Sequence, residues 1–66
     1  MVTVQDDFRR AEELVLEARQ IVQQQKGRII RLRAGGADTW DAERTLRTLE
    51  SNLKRFEEHR ESLKRK

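Results

Sequence analysis

The sequence predicts an all-α fold: an antiparallel two-helix hairpin of coiled-coil type that pairs with a second copy into a four-helix bundle. Two observations carry the hairpin. Apolar residues recur at alternating steps of four and three in two separate runs, and a Gly-Gly step, Gly35-Gly36, divides the runs in a chain with no proline and a single further glycine. A third observation, the little surface that one seam can bury, carries the pairing.

The first run comprises Val4, Phe8, Ala11, Val15, Ala18, Val22, Ile29 and Leu32, with Gln25 in its one gap. That spacing is a heptad seam, and it predicts a helix over about residues 4–34. Without it, a chain 41% charged and 35% hydrophobic would suit disorder; with it, the same composition reads as long helix. Leu14 and Ile21 lie beside the seam and widen it, so this helix has more than a narrow stripe to bury. After the glycines the pattern restarts in a new phase with Ala42, Leu46, Leu49, Leu53, Phe56, Arg60 and Leu63. It predicts a second helix over about 39–65, a turn over 35–38, and one hairpin spanning 1–66.

The helix ends agree. Thr3 can cap the first helix with Asp6 three positions on, and Asp6 and Asp7 suit the positive end of its dipole. Arg28, Arg31 and Arg33 crowd its negative end, and Gly35 or Gly36 supplies the left-handed residue that stops it. Asp38 or Thr39 caps the second helix, Asp41 and Glu43 charge its first turn, and the final Lys-Arg-Lys lies at its negative end. So short a connection makes the helices antiparallel neighbours.

One register serves nearly every layer. It sets Leu32 against Ala42, Ile29 against Leu46, Gln25 against Leu49, Val22 against Leu53, Ala18 against Phe56, Val15 against Arg60 and Ala11 against Leu63. Large faces small at Ala18/Phe56 and Ala11/Leu63, which lets the layers interdigitate. Two helices meeting along one seam still bury little surface for their length, and self-association would cover Leu14 and Ile21. Gln25, polar on the seam, is the third expected self-association residue, bonding across the dimer. Arg60 is expected to snorkel towards water or the carboxylates of Glu12 or Glu57.

Leu16, Ile30 and Trp40 are candidate contacts for a partner protein. The plainer reading makes Leu16 and Ile30 ordinary exposed aliphatics and Trp40 a staple over the loop. Gly27 falls on the outer face of the first helix, where it marks a bend, a close approach or tolerated drift.

Catalytic chemistry is not expected. His59 is the one histidine, Phe56 occupies the position where a carboxylate-bridged metal site would need a glutamate, and the neighbouring Glu57, Glu58 and Glu61 point off the seam. The glycines form no phosphate loop, since Gly35-Gly36 follows a helix and no Gly-Lys-Ser/Thr occurs. The expectation is no enzyme, no cofactor and no metal. No cysteine is present to build a disulfide framework. The N-terminal segment lacks the apolar core of a signal peptide, and no apolar run of about 18 residues could span a membrane. A soluble cytoplasmic protein follows.

A net charge of +3 and a sequence pI near 10.0 raise a second possibility. Arg28, Arg31, Arg33, Arg44 and Arg47 could form a patch near the turn that binds nucleic acid, as dimeric helical hairpins can bind RNA. The first reading is a small interaction or adaptor protein working through helix faces, with itself and another protein as partners.

The segment Gly36-Ala37-Asp38-Thr39-Trp40-Asp41-Ala42-Glu43-Arg44-Thr45-Leu46 resembles the central G-x-D-T-x-x-A turn of short, uncharacterised two-helix proteins of rhizobia and related alphaproteobacteria. Ile29 to Leu32 matches the I-x-x-L end of their first helix, and His59-Arg60-Glu61-Ser62-Leu63 the H-R-E-x-L run of their second. The resemblance covers about residues 10–63 and departs at Gly35, which doubles the glycine, and at Trp40. It implies a two-helix hairpin and lends no catalytic residue.

Overall fold

Two helices make up the computed structural model, which describes residues 4–65: α1, Val4–Ala34, and α2, Trp40–Lys64. Thr3, expected to cap the first helix, lies outside the described residues, as do Lys66 and the side chain of Val4. The helices pack against each other along their length, and no strand occurs among the described residues. No helix among them is long and apolar enough to cross a membrane.

Main-chain hydrogen bonds close the reversal. Ala37 N–H donates to Leu32 O at 2.9 Å and Gly36 N–H to Arg33 O at 3.1 Å. These are the paired six-to-one and five-to-two bonds of a Schellman motif, with Gly36 as its left-handed residue at φ +76°. Of the two glycines, then, Gly36 alone needs to be one. Gly35 has no positive φ and still donates to Arg31 O at 3.1 Å, as a helical residue does. On the far side Asp38 Oδ1 accepts the Trp40 N–H at 3.0 Å, while the Thr39 side chain makes no capping bond. Asp38 is thus the residue that satisfies a free N–H at the start of α2, and Thr39 contributes its carbonyl to Glu43 N–H at 2.8 Å.

The core belongs to one helix. Ala11, Val15, Ala18, Val22 and Ile29 are buried, all of them on α1, and α2 has no buried residue. The physical reason lies in side-chain length. The contact positions of α1 are mostly short Ala and Val, and the long Leu and Phe side chains of α2 reach over them. Leu46, Leu49, Leu53 and Phe56 cover the first helix while leaving their own outer sides in water, so each is only half-buried. The molecule is correspondingly long and thin, 51 × 16 × 14 Å, with a radius of gyration of 15.4 Å, whereas a compact chain of this length would have about 11 Å.

Candidate functional site

The two flanks of the hairpin differ in chemistry. Glu12, Arg19, Lys26 and Arg33 recur every seven residues on α1, and Glu43, Glu50, Glu57 and Lys64 do so on α2. Seven residues are close to two helical turns, so each set lines one flank. Run antiparallel, they oppose unlike charges at every rung. Arg33 bonds to Glu43, and Arg19 Nη2 meets Glu57 Oε2 at 3.0 Å. Glu12 turns to Arg60, with Nη1 and Oε1 4.0 Å apart. Ion pairs therefore border this side of the seam.

On the opposite flank no ion pair joins the helices among the described residues. Leu14, Glu17 and Ile21 of α1 and Leu49, Asn52 and Phe56 of α2 line a mostly apolar groove of about 220 Å³ there, floored by Ala18. Ile21 remains 46% exposed. The groove brings together the expected self-association residues Leu14 and Ile21 and joins to them Leu49 and Phe56, assigned by the sequence to the intramolecular seam alone. Ala18 and Phe56 both line this groove, and Ile29 and Leu46 both line another beside Ile30.

Gln25 is engaged elsewhere. Its Nε2 donates to the backbone carbonyl of Ala42 at 2.8 Å, so the partner expected across a dimer is found within the chain. Arg60 has the opposite difficulty: Nε is buried without a hydrogen-bond partner, and its guanidinium only approaches Glu12.

The candidate partner contacts do not converge. Leu16 sits on the outer face of α1 among Arg19, Gln20, Gln23 and Gln24. Ile30, 66% exposed, lies near the Arg33–Glu43 pair. Trp40 stands at the start of α2 with the Arg44 guanidinium 5.6 Å from its ring centroid. Gly27 is half-exposed, and the Arg31 side chain lies over it, 3.5 Å from where a Cβ would stand.

The turn arginines are likewise divided. Arg33 is paired with Glu43 on the charged flank; at about 100° per residue, Arg28 and Arg31 project to other sides of α1, and Arg44 and Arg47 lie on the outer face of α2. What sequence reasoning missed was legible in the charge order. The seven-residue repeat of Glu12, Arg19, Lys26 and Arg33 against Glu43, Glu50, Glu57 and Lys64 identifies the bordered flank, and hence the bare one.

Among the described residues, no three His, Cys, Asp or Glu side chains converge as metal ligands. Compared with protein-family models, curated proteins and solved structures, the chain matches none of them.

Proposed function

We propose that this chain is a small, non-catalytic cytoplasmic interaction protein that works as a dimer of hairpins, an antiparallel four-helix bundle, and meets partner proteins through its remaining helix faces. The bare flank carries this reading. A hairpin with charge pairs along one side and, midway along the other, a mostly apolar groove has one side suited to a second apolar surface, and a second copy supplies the same Leu14, Ile21, Leu49 and Phe56 about a two-fold axis.

The amount of surface supports the choice of occupant. The chain exposes 5401 Å², about 1,000 Å² more than the roughly 4,400 Å² of a compact monomer of its mass. Two copies that each covered such an excess would bury about 2,000 Å², the size of a stable protein interface. The five turn arginines are divided among several faces, Arg33 being paired with Glu43, and do not together make one patch near the turn.

Sedimentation equilibrium at micromolar concentration tests the proposal. The expected mass is twice the 7.9 kDa of the chain. A well-folded monomer at the highest attainable concentration would overturn it.

A further inference from the structure

We infer that the outer face of α2 is a binding strip for double-stranded DNA, a function that goes beyond self-association and uses a surface the bare flank leaves free. Trp40, Arg44, Arg47, Ser51 and Lys54 follow steps of four and three and so share one face, with Arg55 beside Lys54. All six are exposed. The acidic residues of the same span, Asp41, Glu43 and Glu50, lie towards the flanks, and Glu43 is already held by Arg33. Carboxylates return to this face only at Glu58.

Arg44, Arg47, Lys54 and Arg55 form no ion pair among the described residues, as is also true of Arg28 and Arg31, and the Arg44 guanidinium lies 5.6 Å from the Trp40 ring centroid. At about 1.5 Å per residue the four cations of the strip extend over about 16 Å of a straight helix, and the Ser51 hydroxyl lies between them.

Charge and shape choose the occupant. An acidic protein surface would gain at most about fivefold in affinity from each exposed ion pair, and its one apolar anchor here would be Trp40, short of the cluster on which protein interfaces rely. Phosphate chains need no such anchor, because each neutralised phosphate releases condensed counterions. Single strands are held by successive bases stacked on several aromatic rings, and this face has one. Of the two duplexes, B-form DNA has a major groove about 12 Å wide that admits a helix of about 10–12 Å diameter; the major groove of A-form RNA is deep and narrow. The contacts are to phosphate, so binding is independent of base sequence.

Fluorescence anisotropy of a labelled duplex of about 20 base pairs tests this. With four phosphates neutralised per strip, affinity should fall about a hundredfold between about 50 and 200 mM salt. Lys54→Glu/Arg55→Glu should lose most of the binding. Arg28→Glu/Arg31→Glu, with the same change in net charge, should keep it within a few-fold while circular dichroism shows both variants equally helical. The neutral pair Lys54→Gln/Arg55→Gln, expected to lose about tenfold, keeps the test decisive if charge reversal disturbs the helix. Equal losses in the two charge-reversed variants, no duplex binding at the lower salt, or tighter binding of single-stranded DNA, duplex RNA or an acidic helical peptide would overturn the inference.

Discussion

The side-chain amide of Gln25 and the backbone carbonyl of Ala42 are joined at 2.8 Å across the interface between the helices. The seam pattern alone makes Gln25 the polar intruder whose replacement by leucine should raise stability and loosen the choice of oligomer. With its amide satisfied in the chain, the balance changes. Gln25→Leu trades a hydrogen bond contributing about 0.5–1.5 kcal/mol for extra apolar burial, and should leave stability within about 1 kcal/mol of the parent. Gln25→Glu keeps the size, loses the donor and sets acceptor against acceptor; it should cost about 1–3 kcal/mol. Urea unfolding at neutral pH checks both.

Arg60 is the better target for stabilisation. Its Nε is buried without a partner, its side chain is 20% exposed, and its nearest carboxylate lies at the limit of an ion pair. Arg60→Leu should raise stability by about 1 kcal/mol or more, since an unsatisfied buried polar group costs about 1–3 kcal/mol. This reverses the order expected from the seam, in which Gln25 was the costlier residue. A lower melting temperature for Arg60→Leu would show that the guanidinium contributes more than it costs.

The glycines should respond with different signs. Gly36→Ala forces a Cβ into the left-handed region and should cost about 1–2 kcal/mol, although open space surrounds that position. Gly35→Ala should add about 0.4–1 kcal/mol, because its Cβ would meet only the Arg31 and Leu32 carbonyls at an ordinary 3.6 Å. Gly27→Ala, inside α1, should add about 1 kcal/mol. Thermal melts of the three single variants separate these outcomes.

The Arg19–Glu57 pair is exposed at both side chains, 49% and 39%, so its coupling should be small, about 0.2–1 kcal/mol, and should shrink in high salt. A double-mutant cycle with Arg19→Glu and Glu57→Arg measures it. The doubly reversed chain should recover most of the stability that either single reversal loses.

Ile21→Glu places a charge in the bare groove. Under the proposed association it should abolish the dimer and lower the melting temperature, because a carboxylate would be buried against the apolar Leu14, Leu49 and Phe56 of the groove. Leu16→Glu, on the outer face of the same helix, should leave the mass unchanged. Native mass measurements of the two variants distinguish the flank from a general loss of hydrophobicity.

Much of the architecture was legible because it is periodic. The two seams, the phase break at Gly35-Gly36 and the charges at the helix ends are local signals, and each corresponds to a feature of α1, α2 or the reversal. The choice of left-handed glycine was less legible, since both residues permit it and a specific hydrogen-bond pair selects Gly36. Gln25 shows a second limit: a flexible side chain on a seam has several carbonyls and amides within reach, and spacing does not rank them. Residue size hid the unequal burial of the helices, because the heptad pattern records which positions are apolar and ignores how far each side chain extends.

The Schellman closure also bears on how the hairpin forms. Its bonds join residues at most five apart in sequence, so the ends of both helices are brought together at small loop entropy. Pairing should then zip outward from the turn, through Arg33–Glu43 to Arg19–Glu57, and reach the far ends of the helices last. Contacts formed in this order are quick to make. Under the proposed association, docking of a second hairpin is bimolecular and follows, so dilution should slow the final step of refolding and leave the zipping untouched.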